Sequence, residues 1–446
     1  MSDHNEIDDI LNEIKSKKEP EDKRDFEIKK EVDNSSISFD FLEVEKSKIT
    51  SSSEASANND TNGRPENNKK KIIIIAVVAI LVVAIVAGVV FAVTKAKNKE
   101  PETTEPTTTT TTETTTEAPV LILNPLTGES EYNENAVGKR PVAIVVENAY
   151  AARPQWGIDD STNSPDIILE GEVEGGETRM LWFYADYTSV PDQIGPIRSA
   201  RPPFIRFSEL YDSIFIHWGQ SSSRDNYVGA DTVFKTDGVD HINQMAYSDK
   251  VGLFSRDKSR GVSSEHTGVL HGNKLEQAIE NAKFRTDVKE SNFTQLAFNE
   301  KEQTVGSDKC TAFAFTFSSN TKTRDWKYSE DDKMYHCTDY LTDVARKNLL
   351  VLYDTTEYVA KSNYKGSGKS EIYCNYKLAG GSGKLVSLGT ITDITWSVQN
   401  GVLKVKDSNG NDVSLNPGKT WIGYGSSNKG GKDKNNTPVE STSAQN

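Results

Sequence analysis

Residues 72–93 (IIIIAVVAILVVAIVAGVVFAV) are uninterrupted by any charged side chain. As a helix this run would be about 33 Å long, against a hydrocarbon core of about 30 Å. A helix also satisfies its own backbone where lipid offers no hydrogen bonds. A cleaved signal peptide has an apolar core of about 7–15 residues behind a short basic region. Here the run is longer and 71 residues precede it. A buried core helix would normally keep a polar face, and this run has none. The expectation is one membrane-spanning helix over 72–94 that places the rest of the chain in two different solvents.

Basic residues flank the run almost evenly, with Arg64, Lys69, Lys70 and Lys71 before it and Lys95, Lys97 and Lys99 after it. Orientation therefore rests more on composition. Residues 101–116 read PETTEPTTTTTTETTT, a Thr/Pro/Glu spacer that has no side chains for a core and favours extended conformers. It suits a stalk, so 95–118 is read as an extracytoplasmic linker and the N-terminus as cytoplasmic. Residues 1–71 are polar and compositionally disordered. Within them Ile7, Ile10, Leu11 and Ile14 share one helical face. That short helix is either a docking element for a cytoplasmic partner or a transient one.

The formal charge of -14 argues against a nucleic-acid partner, which calls for a basic face. Cys310, Cys337 and Cys374 are an odd set without CxxC spacing. Three isolated thiols, or one disulfide and a free thiol, both remain open.

From Asn124 the composition turns globular. Residues 140–148 (RPVAIVVEN) read as a buried strand. In 165–187 two strand-like runs flank Gly175-Gly176, the pattern of a β-hairpin. Glu170, Glu172 and Glu174 recur with period two and are expected on one face, with Arg179 across the turn. Arg198 and Arg201 precede a predicted helix whose first turn holds Pro202 and Pro203. Helix N-termini and arginine forks both favour anions. These arginines either bind a carboxylate or phosphate group of a ligand or neutralise the three glutamates. Residues 211–223 read as a strand ending in a Gly/Ser loop, with His217 beside Ser221–Ser223; no GxSxG or SxxK supports a nucleophile there, and a packed or capping histidine is expected. His266 and His271 are five apart and do not match HExxH, so no metal or cofactor is expected. Beyond Ser291 the runs FAFTFSS, NLLVLYD, EIYCNYKL, ITDITWSV, VLKVKDS and KTWIGYG are strand-like, several separated by Asn-Gly or Pro-Gly turns.

The fold class expected is α+β, with a mixed α/β domain over 119–290, a small β-rich domain over 291–425 and a disordered tail over 426–446. NPLTGE, RPVAIVVEN, ARPQWGI, EGEVEGGETRM, IGPIRSARPPF, the HWGQSS loop and LNPGKTWI together resemble the YerB family of bacterial lipoproteins, a two-part domain of unknown function. The resemblance covers about residues 120–425 in unbroken order. It implies a cell-envelope protein on the outer face of a Gram-positive-type membrane and assigns no reaction. Two departures stand out. No cysteine precedes Cys310, so residues 72–93 would replace the lipid anchor of that family. Where the family resemblance implies Pro-His-Asn, this chain reads SSEHTG (263–268).

Two functions follow. One is a ligand-binding or scaffolding module at the envelope, with Glu172, Glu174, Arg179, Arg198, Arg201 and His217 as candidate contacts and a cell-wall polymer or envelope protein as partner. The other is a glycan or peptidoglycan hydrolase. Same-face neighbours on a strand lie about 7 Å apart, within the separation that paired glycosidase carboxylates need.

Overall fold

The computed structural model describes residues 122–363 and 366–438. The run 72–93, the helix carrying Ile7, Ile10, Leu11 and Ile14, and the Thr-rich linker lie outside the described residues. No helix among the described residues is long and apolar enough to cross a membrane.

Ten strands build the main sheet. Five come from the first half of the globular region: β1 (Val142–Glu147), β2 (Ile167–Glu172), β3 (Thr178–Tyr184), β4 (Ile214–His217) and β5 (His241–Asn243). Five come from the second: β6 (Asn348–Asp354), β7 (Gly380–Ser387), β8 (Thr390–Gln399), β9 (Val402–Asp407) and β10 (Thr420–Ser426). Their order is β9-β8-β7-β6-β10-β2-β3-β1-β4-β5, with Asp308–Lys309 added against β8. The two halves expected as separate domains thus share one sheet, joined where β2 runs parallel to β10 from Ile167↔Thr420 to Gly171↔Tyr424.

Period-two alternation distributes the core to both faces. Val142, Ile144 and Val146 of β1 join one apolar cluster with Ile168, Trp182 and Trp421. Ala143 and Val145 join the other with Leu169, Leu181 and Ile422. The helix α1 (Pro202–Glu209) and the helix α2 (Ala230–Asp237) cover the second face through Phe204, Ile205, Phe207, Val233 and Phe234. The first face is covered by α3 (Leu275–Ala282) through Leu275 and Ile279, and by a separate five-stranded sheet carrying Phe313, Phe315, Trp326 and Tyr335. That smaller sheet ends in Lys432–Asn435, paired with Ala312–Thr316. The tail expected from residue 426 is therefore ordered through 438. Its charged KDKN run is an edge strand, whose outer side chains face water and need no apolar signal.

The β2–β3 hairpin forms around Gly175-Gly176 as its sequence predicts, with φ of 71° and 74°. The two glycines differ in surroundings. A Cβ on Gly175 meets nothing within 4 Å, whereas one on Gly176 would sit 2.4 Å from the Asn320 carbonyl oxygen. Gly175→Ala is expected to cost about 1 kcal/mol from the left-handed backbone alone. Gly176→Ala should cost at least about 2 kcal/mol, because strain and a backbone clash add. Urea midpoints of the two variants check the difference.

Candidate functional site

Strands β1, β2, β4, β5, β6 and β10 run parallel to a neighbour, so their carboxyl ends share one edge of the sheet. In open α/β sheets ligands bind outside that edge. Here the edge carries Glu147, Glu172, His217, Asn243 and Asp354 as last strand residues, and Arg179 at the start of antiparallel β3.

Residues 197–200 are laid across it as an extended segment. Ile197 bridges Val146, and Ala200 bridges Gln220. The Arg198 amide donates to the Val145 carbonyl, and the Ala200 amide to Gly219. This segment hangs Arg198 and Arg201 on either side of Ser199, whose carbonyl accepts from Nη1 of Arg179 at 2.7 Å. Three arginines thereby meet at one place. Arg198 Nε lies 2.9 Å from Glu147 and its Nη2 lies 3.0 Å from Glu265. Arg201 forms a bidentate fork with Glu174 and lies over the Tyr373 ring, 5.5 Å from its centroid. Glu147 also accepts from or pairs with His266 Nδ1 at 2.9 Å.

Burial would raise the Glu174 carboxyl, but the charges of Arg201 and Arg179 more than offset it and hold it below the usual range. Arg179 is pushed the other way. Burial, then the repulsion of Arg201, takes it down to about 9 despite the attraction of Glu174. It stays a cation at neutral pH, only 7% exposed. Of its five N–H donors, the protein engages one with hydrogen-bonding geometry, through the Ser199 carbonyl.

The expected same-face row of glutamates divides. Glu170 and Glu172 do face one side of β2, but β2 ends at Glu172 and Glu174 belongs to the turn Glu174–Gly176. Glu170 is fully buried. It accepts from Asn148 (2.8 Å), Thr178 (2.6 Å), Arg324 (3.0 Å) and Tyr340 (2.6 Å), with Trp421 at 3.3 Å. Glu172 accepts from Tyr358 at 2.8 Å and lies 3.8 Å from the Cys374 thiol. The pairing expected between these glutamates and Arg198 or Arg201 holds for Glu174 alone. The neutralising cation for Glu170 comes instead from the smaller sheet.

The N-terminus of α1 contributes no anion site. Pro202 and Pro203 have no N–H, and the amides of Phe204 and Ile205 donate to the Arg201 carbonyl. His217 is a packed histidine. It stacks on Phe234 and bonds Gly219 and His241. The three cysteines are free and buried. Sequence reasoning missed Glu147, His266 and Tyr373. Glu147 ends the β1 run, and only the register Glu147↔Arg179 reveals that it faces the arginines.

The molecule is a mixed α/β protein with an ionic constellation at the carboxyl edge of its sheet. Two family models match it: the protein of unknown function (DUF3048) N-terminal domain over residues 126–285 and the DUF3048 C-terminal domain over residues 310–422. A Bacillus subtilis (strain 168) protein named "Putative lipoprotein YerB" is 28% identical over 308 residues, covering 67% of this chain and 84% of that one. The crystal structure of the YerB protein from Bacillus subtilis is similar in fold, with a TM-score of 0.55 and 24% identity over 70% of this chain and 99% of that one. The chain belongs to the two-part YerB-like family. The two family models part between residues 285 and 310, whereas the main sheet runs through both parts without a break.

Proposed function

We propose that this protein is a non-catalytic binding module of the cell envelope that captures an anionic group of a wall polymer or envelope protein. The observation that carries this is Arg179: a buried cation with one hydrogen bond to the protein, flanked by Arg198 and Arg201. Three guanidinium groups meet three carboxylates; Glu147 and the exposed Glu265 are taken by Arg198 and Glu174 by Arg201, so Arg179 is the one without a carboxylate hydrogen-bonded to it. A carboxylate or phosphate group would use the remaining donors of Arg179 and relieve its repulsion from Arg201.

The helix expected over residues 72–93 would hold this module at the outer face of a membrane, with residues 1–71 inside. The lipoprotein name of the relative supports membrane attachment. A hydrolase built on Glu170 and Glu172 has less support. Glu170 has both oxygens engaged by protein donors, and both carboxylates are buried.

The full chain in detergent is incubated with purified peptidoglycan and pelleted. The expected result is retention without release of soluble fragments, weakened about tenfold by Arg198→Ala or by 0.5 M salt. Retention indifferent to both would overturn the anion reading. Release of fragments abolished by Glu172→Gln would replace it with the hydrolase.

A further inference from the structure

We infer that the cavity beside the free edge of β5 is a binding site for a saccharide unit, separate from the arginine constellation. It holds about 550 Å³ and is lined by His241, Asn243, Tyr247, Lys250, Asn281 and Phe284 among others. That size lies within the range of small-ligand sites. Strand β5 pairs with β4 only, and its three residues, His241, Ile242 and Asn243, all line the cavity.

The inner wall presents a fixed acceptor. His217 Nδ1 lies 2.7 Å from the Gly219 carbonyl, which can only accept, so Nδ1 carries the proton. Burial keeps the His217 imidazole neutral, pushed down to about 3, so its Nε2 is a lone pair. That lone pair lies 2.9 Å from His241 Nδ1, which must therefore be the donor. Burial lowers His241 as well, leaving it neutral with Nε2 as an acceptor that no described protein group engages. Phe234 stacks on the His241 ring at 3.8 Å and 10°, so the ring orientation is set before a ligand arrives.

Around this acceptor stand donors. The Asn281 amide, the Ser248 hydroxyl and the Lys250 ammonium are exposed and make no side-chain hydrogen bond among the described residues. Tyr247 and Phe284 add aromatic rings to the lining. No carboxylate lines the cavity. Asp249, although adjacent, is turned onto the amides of Val251, Leu253 and Phe254.

The combination selects a ligand class. A phosphate would meet the lone pair of His241 with its own negative charge. A flat apolar ring would leave the polar rim unpaired. A sugar ring offers hydroxyls that donate to His241 and accept from Asn281 and Lys250, with C–H faces for the two aromatic rings. Lys250, the only charged group lining the cavity, adds a preference for a sugar bearing a carboxylate.

The test is a titration of the full chain in detergent with N-acetylglucosamine disaccharide and with N-acetylmuramic acid, read by saturation-transfer NMR. Both are expected to bind saturably at millimolar concentration or below. His241→Phe keeps the stack and removes the acceptor, and Tyr247→Ala removes an aromatic ring; each should weaken binding about tenfold. Lys250→Ala should weaken only the acidic sugar. Arg198→Ala should leave the affinity for the neutral disaccharide unchanged, which keeps this site distinguishable from the anion site. Thermal unfolding of Tyr247→Ala close to wild type shows that the loss is local. Absence of saturable binding by both sugars, or binding that His241→Phe and Tyr247→Ala both leave intact, would overturn the assignment.

Discussion

Replacing Glu170 with alanine is expected to destabilise the protein by about 3–5 kcal/mol, the range for removing one partner of a buried ion pair. The loss is large because Glu170 is fully buried and collects donors from both halves of the chain. Asn148 and Thr178 belong to the first half; Arg324, Tyr340 and Trp421 belong to the second. Without the carboxylate, the Arg324 guanidinium is left buried and uncompensated. The urea midpoint should fall accordingly. Glu170→Leu combined with Arg324→Met removes both charges at once and should recover much of the loss, because it leaves no orphan charge. Burial alone would raise the Glu170 carboxyl, but Arg324, Thr178 and Tyr340 hold it below its ordinary 4.5. Its folded value is depressed, so its contribution is fully present above about pH 4.5 and is lost as pH falls through the folded value. The gap between wild type and Glu170→Ala should therefore narrow only in acid below that point. A Glu170→Ala variant within about 1 kcal/mol of wild type would show that water takes over the role of the carboxylate.

The same residue shows what a linear reading can and cannot reach. Strand β1, the β2–β3 hairpin, strand β4 and helix α1 were legible because each has a local signal: β-branched runs, a Gly-Gly turn, and prolines at a helix start. Strands β6, β8, β9 and β10 were legible for the same reason. Strand β7 (GGSGKLVS) was not, since its first half is glycine-rich and reads as a loop. In the structure those glycines lie beneath neighbouring backbone; a Cβ on Gly383 would come 2.1 Å from the Val351 carbonyl oxygen. Arg198 and Arg201 do precede a helix, and of the glutamates offered as their partners Arg201 meets Glu174. The other pairings were not legible. Arg324 lies 154 residues beyond Glu170, and Glu147 lies 119 residues before His266. No periodicity encodes pairings of that length. They depend on how the whole chain folds back, as does the parallel seam between β2 and β10.

That seam makes the second large prediction. Residues 119–290 expressed alone are expected not to fold cooperatively, although their composition suggests a domain. In the intact chain β2 is an interior strand with β3 on one side and β10 on the other. Cutting at 290 turns it into an edge strand with Ile167, Ile168 and Leu169 at its open side, the kind of edge that drives aggregation. It also removes the smaller sheet from above Trp182 and Ile168 and deprives Glu170 of Arg324. Two or more of these losses each exceed a sizeable part of a typical folding free energy of about 5–15 kcal/mol. The fragment should show poor amide dispersion by NMR and no sharp thermal transition, while residues 119–438 unfold in one step. A single cooperative transition in the shorter fragment would mean that β2 and β3 hold their register without β10. The seam would then be an interface between two domains. With one continuous sheet, by contrast, a pull on the arginine edge would reach residues 420–426 through direct strand hydrogen bonds and not through a flexible joint.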